Sequence, residues 1–237
     1  TLTLNRNEFI DEKEHGGGLI FVDPYYPQFM SKKSFFCNVS EVLKGFFRIF
    51  KYLKFTTNMN SSRKFRHEPT VLSKISPQID QLWCIAQFYH VYRRLFSDSV
   101  LLNARYITHS VPRADIPTQE KSFDYTKKLL KKYVQADLVI TSRIHCALPC
   151  LALKTPVIFV NSSAISEIRS PGRLEGLINL FHIMDFSTGN LHPDSYLATK
   201  FPHNSRLYAI PSIENKPDYI EIRKNLIKLC QRFMSNP

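Results

Sequence analysis

The chain has 237 residues, 43% of them hydrophobic and 13% aromatic, which suffices for the core of one large domain or one domain with extensions. No apolar run approaches the roughly 20 residues that span a bilayer. A net charge of +12 at pI about 9.5 favours polyanionic partners, namely nucleic acid, acidic lipid or phosphorylated and carboxylated substrates, without choosing among them.

In chain order, the opening TLTLNRNEF lacks an initiator Met and reads as a cut from something longer, with a short apolar alternation at Leu2 to Leu4. HGGGLIFVDPYYPQ follows: flexible glycines lead into the apolar run Leu19–Val22, a buried strand ending in a loop at Asp23-Pro24. The glycines precede the strand instead of joining it to a helix, so they are not a phosphate-binding fingerprint. Residues 40–55 show a helical pattern with Ser40 as N-cap, and the polar run 56–68 reads as a loop. A second, aromatic-rich helix is expected over about 79–97, a strand over 104–108, and a helix from a Thr118 cap through Tyr133, with Lys127, Lys128, Lys131 and Lys132 outward. Next come a strand over 137–141, a helix over about 143–153 and a strand over 156–160. Beyond Val160 the pattern weakens, although Leu174–Leu180 looks helical, and the chain closes on a helix from Pro217 to about Met234. Alternation of strands and helices predicts an α/β fold with a parallel sheet covered on both faces.

Five cysteines (Cys37, Cys84, Cys146, Cys150, Cys230) form no CxxC and no ligand spacing with histidine. Cys146 and Cys150, four apart among small apolar residues, read as core packing, so no metal site is expected and a reducing cytoplasm is the expected compartment.

Chemistry concentrates after the 137–141 strand. Ligands of an open α/β sheet sit beyond the carboxyl ends of its strands, and this segment brings Thr141, Ser142, Arg143 and His145 there together with a helix N-terminus, which favours an anion. Arg143 offers a planar fork for carboxylate or phosphate, and His145 a group that exchanges a proton near neutrality. The two converge easily if the helix begins after them; if it begins before, Arg143 must wrap back. The competing reading pairs Arg143 with a nearby acid and makes His145 a hydrogen-bonded core histidine. His109, at the end of the 104–108 strand, is a second proton-handling candidate or a capping histidine. Asn161, Ser162 and Ser163 follow the 156–160 strand and can bind phosphate or sugar, or simply make a turn. Arg173 can reach an anion or lie on the surface. His182, His192 and His203 have no supporting pattern.

DLVITSRIHCALPCLALKTPVIFV resembles the signature of the polysaccharide pyruvyl transferase family, in which a strand leads into Arg-x-His, a small-residue helix and a TPVI strand. The resemblance is strongest over about 104–160 and extends to RLEGLINLF, similar to the family's Arg-x-x-Gly-Leu segment. It implies a Rossmann-like domain with flanking helices, resembling the C-terminal half of a GT-B-like two-domain transferase. Residues 1–16 would then lead in from a preceding domain, and 17–237 would form this half, with a basic helical insertion at about 40–98. It also implies transfer of pyruvyl from phosphoenolpyruvate to a sugar hydroxyl pair of a cell-surface polysaccharide or its lipid-linked precursor, with Arg143 and His145 contacting the donor and no cofactor. The rivals are a sugar-nucleotide glycosyltransferase, in which Glu167 would hold a ribose, and a non-catalytic binding module.

Between Val42 and His67 lie seven Lys or Arg and no acid. Lys44, Arg48 and Lys51 share one helical face, with Phe46, Phe47, Phe50 and Leu53 on much of the remainder. This reads as a core helix with a solvated basic face, or as peripheral contact with an anionic membrane at its inner surface through about 40–55. No RNA- or DNA-binding module is recognisable, so nucleic acid is not expected.

Overall fold

The computed structural model describes residues 3–9, 17–24, 35–62, 65, 67, 70–109, 117–161, 176–187, 190–202 and 205–235. Among the described residues six strands make one sheet: β1 (Leu19–Val22), β2 (Arg105–Ile107), β3 (Leu138–Thr141), β4 (Val157–Asn161), β5 (His182–Ser187) and β6 (Asn190–Pro193). Their order is β2-β1-β3-β4-β5-β6, parallel throughout except for the antiparallel β5–β6 pair. From β1 the order steps one way to β2 and the other way to β3. The sheet therefore reverses its winding between β1 and β3, the place at whose carboxyl ends open α/β sheets bind their ligands.

Strand residues alternate between two cores. Leu19, Phe21, Leu138, Ile140, Ile158, Val160 and Met184 face one side; Ile20, Val22, Val139, Val157 and Phe159 face the other. The first side is covered by α1 (Phe35–Lys51), α2 (Leu53–Ser61), α3 (Pro77–Tyr92), α4 (Asp98–Asn103) and α7 (Ser195–Lys200). The second is covered by α5 (Gln119–Val134), α6 (Ile144–Ala152) and the start of α8 (Asp218–Ser235). Burial on both faces explains why the central strands are unbroken apolar runs. Phe21 anchors the first core, packing edge-on to Phe88 and Tyr92 and stacking on Tyr106 at 5.4 Å.

Several boundaries differ from expectation for local reasons. The polar run after Phe55 continues as helix α2, because Phe55 and Met59, one turn apart, are buried while Thr56 and Thr57 return their hydroxyls to carbonyls of the preceding turn. The aromatic helix begins at Pro77, capped by Ser76, and stops at Tyr92; Ser97 caps the separate α4. Of the helix expected over Leu174–Leu180, the described part is a 3-10 turn at Ile178–Leu180. The sequence showed no clear signal for β5, β6 and α7, although Asp194 caps α7 through Leu197 N–H and His182 stacks on Tyr196. Residues 3–9 pack on the same body: Phe9 joins the second core, and Arg6 donates to the carbonyls of Val134 and Leu153.

The basic helix is turned differently from the expected arrangement. Arg48 points inward to Gln87, while Phe47 and Phe50 are 68% and 75% exposed.

Candidate functional site

The crevice between β1 and β3 is built on Asp23. This residue ends β1 with φ of 40°, a left-handed conformation that Asp and Asn tolerate better than most side chains. Its backbone N–H is held by Ile107 O at 3.0 Å, and its carbonyl accepts the Ser142 hydroxyl at 2.6 Å. Its carboxylate, only 6% exposed, accepts the His109 backbone N–H at 2.9 Å and lies 3.5 Å from Arg143 Nε. One acid thus ties together the ends of β1, β2 and β3.

Thr141 is fully buried; its hydroxyl donates to Val22 O at 2.7 Å and accepts from Arg143 N–H at 3.0 Å. These bonds place Arg143 as the extended N-cap residue of α6, so the helix begins between Arg143 and His145. Arg143 keeps its side chain in the crevice, 41% exposed, and His145 stands exposed in the first turn. α6 starts beside Arg143, and the positive end of its dipole favours an anion there. Pro149 has no N–H to give the His145 carbonyl, which therefore lacks the usual helical donor.

His109 is the second imidazole. Its Nε2 lies 2.6 Å from the Tyr133 hydroxyl. Burial holds its pKa below the ordinary histidine value; Asp23 opposes that shift, and Arg143 and His145 reinforce it. Burial likewise raises the Tyr133 and Tyr125 hydroxyls, with Asp23 adding to both, so the two phenols stay protonated. Tyr125 donates to Thr108 O at 3.2 Å. Asp23, Arg143, His145 and His109 therefore form one electrostatic group, with a shielded neutral imidazole beside a fixed ion pair. The pairing with an acid weighed for Arg143 is present, and it orients the guanidinium at the crevice.

Asn161 lies one strand over, its amide donating to Asp185 Oδ1 at 3.2 Å. Ser162, Ser163, Glu167, Arg173 and His203 lie outside the described residues. His182, paired with Asp194 at 3.3 Å, is buried beneath α7, away from the crevice. Cys146 and Cys150 are fully buried in the second core, where burial pushes the Cys150 thiol up. A shallow cleft lined by Gly18, Leu19, Asn103 and Tyr208 lies at the amino end of β1, opposite this site.

Asp23 did not emerge from the sequence as a site residue. An Asp immediately after a buried strand was the available signal, and its weight came only from the strand order. Likewise His67, Asp80 and Cys84 bring donor atoms within 4.8 Å of one another, a grouping with metal-ligand chemistry that sequence spacing did not suggest. Asp80 already accepts the Thr70 N–H and hydroxyl, which fastens the turn at Val71–Lys74 to α3.

Comparison with known families matches the model of the polysaccharide pyruvyl transferase family to residues 22–163, more than half of the chain, from the end of β1 past β4. No curated protein and no solved structure matches.

Proposed function

Because the chain belongs to the polysaccharide pyruvyl transferase family, a family of transferases in polysaccharide biosynthesis, we propose that it moves pyruvyl from phosphoenolpyruvate onto two sugar hydroxyls. The acceptor would be a cell-surface polysaccharide or its lipid-linked precursor. In this reading residues 17–237 supply one half of a GT-B-like enzyme, and residues 1–16 lead in from the other half.

The observation that supports the reading is the meeting of Asp23, Arg143, His109 and the α6 N-terminus at the winding reversal of the sheet. A compact dianion suits this place. Arg143 and the N-terminus of α6 hold its carboxylate or phosphate, and Asp23 lies 3.5 Å from Nε as the counter-charge of the guanidinium.

The reaction then balances as follows. The first hydroxyl oxygen bonds to C2 of the enolpyruvyl unit while the C3 methylene gains a proton and becomes methyl. The C2–O bond to phosphate breaks, and the second hydroxyl oxygen takes its place, giving up its proton to the departing phosphate. His145 stands exposed at the mouth and delivers or relays the proton to C3. His109, held neutral by burial, accepts a proton from an attacking hydroxyl. The held carboxylate offsets positive charge developing at C2.

Pyruvyl transfer by the complete enzyme, with Arg143→Ala and His145→Ala beside the parent, tests the proposal. A loss of about 100-fold or more is expected for each, consistent with general acid–base and charge-stabilising roles. Near-normal turnover in both variants would remove the assignment.

A further inference from the structure

We propose that the outer face of α1 and the start of α2 form a docking surface for an anionic phospholipid bilayer, with the helix lying in the plane of the interface. This does not depend on the transfer reaction.

Four large apolar side chains stand in one ridge: Leu43, Phe47, Phe50 and Leu53, exposed by 63%, 68%, 75% and 51%. Their spacing of four, three and three residues keeps them on one side of the helical path. The opposite side is already occupied. Gly45, Ile49 and Tyr52 are buried, and Gly45 brings the helix backbone so close to Trp83 that an added Cβ would overlap its indole Nε1. Tyr52 reaches His90 through its hydroxyl at 2.9 Å. The ridge is thus a second apolar face, left outside after the core has taken the first. Apolar residues scattered singly over a surface need no explanation, whereas four contiguous ones mark a contact.

Charge identifies the partner. Lys44, Lys51 and Lys54 are exposed beside the ridge, and no Asp or Glu occurs from Val42 to His67. Lysine stems lie along apolar surface while their ammonium groups reach the headgroups. Phenylalanines on one face with lysines beside them are the pattern of an interfacial helix. A second copy of the chain would set lysine against lysine, in a molecule whose net charge is already +12. Among the described residues no helix is long and apolar enough to cross a membrane, so the contact is peripheral.

Co-sedimentation of the full chain with phosphatidylcholine vesicles, with and without phosphatidylglycerol, tests the proposal. Binding is expected only with the anionic lipid and should weaken as salt rises. Each lysine near such a surface contributes about fivefold in partitioning, so Lys44→Gln/Lys51→Gln/Lys54→Gln should lose on the order of 100-fold. Phe47→Ser/Phe50→Ser should also release the protein. Leu229→Ser/Phe233→Ser, on the other exposed apolar helix, α8, should not. Phe50→Trp should shift its emission to the blue on adding anionic vesicles, because Trp83 is buried and remains a constant background. The proposal is overturned by no binding at low salt, by equal binding to neutral vesicles, by binding that survives both α1 variants, by equal loss in the α8 variant, or by binding without the emission shift. A concentration-dependent dimer without vesicle binding would assign the ridge to a second copy instead.

Discussion

Replacing Asp23 by Asn isolates the charge at the centre of the crevice. Asn keeps the side-chain shape and tolerates the φ of 40°, so backbone strain does not enter as it would with Ala. A hydrogen bond to a charged acceptor contributes about 1.5–3 kcal/mol and one to a neutral acceptor about 0.5–1.5 kcal/mol, so the bond from His109 N–H should weaken by about 1–1.5 kcal/mol. The Arg143 partner is 41% exposed, so solvent screens that pair and its loss adds on the order of 0.5–1 kcal/mol. A total near 2 kcal/mol corresponds to a fall in Tm of about 4–8 °C for a chain of this size. Urea unfolding at constant slope measures the stability, and imidazole NMR follows His109. Asp23 raises the His109 pKa against burial, so Asp23→Asn should lower it further. A stability change below about 0.5 kcal/mol, or a His109 pKa that rises, would refute the view that the Asp23 carboxylate organises this site.

Two further outcomes follow from parts of the fold away from the crevice. His90 is held at a pKa of about 4, first by burial and then by Arg48, Arg93, Arg94 and Lys51. It is neutral in both states above the unfolded value of about 6.5. As pH falls from there to about 4 the unfolded chain takes up the proton first, so stability present above 6.5 is lost across that window; unfolding midpoints over this range should fall less steeply in His90→Gln than in the parent, and parallel curves would exclude His90 as a source. Gly45→Ala should cost about 1–3 kcal/mol, since its methyl meets the Trp83 indole and the Gln87 amide. Because Trp83 is the only tryptophan, its fluorescence reports both the unfolding midpoint and the displaced packing, and unchanged stability would show that α1 does not lie that close to α3.

The sequence carried most of the layered architecture because each central strand is buried on both faces. Leu19–Val22, Leu138–Thr141 and Val157–Val160 show that as uninterrupted apolar runs. It carried Arg143 and His145 for a related reason: a strand followed at once by a helix puts the joining residues at the carboxyl edge. Capping was equally local, so Thr118 could be read as the start of α5. β5 and β6 were not legible. They lie on the outer side of the sheet, and their mixed residues are made strand by pairing with β4 and with each other. α2 was missed because two buried residues outweighed a polar composition.

The orientation of α1 and the part played by Asp23 depended on partners distant in the chain. A helix rich in both phenylalanine and lysine can bury either flank, and contact with Trp83 and Gln87 decided that Arg48 turns in while Phe47 and Phe50 turn out. Asp23 is separated from His109 by 86 residues, and only the order β2-β1-β3 brings them together with Arg143. By itself the sequence determined the buried strands, the Thr118 cap of α5 and the step from strand to helix at Arg143, because those follow from neighbouring residues and periodicity, whereas Ser40, read as an N-cap, lies inside α1. The tertiary structure alone decided which acid faces Arg143, which imidazole is shielded beside it and which side of α1 meets solvent, because each depends on strand order and helix packing between segments far apart in the chain.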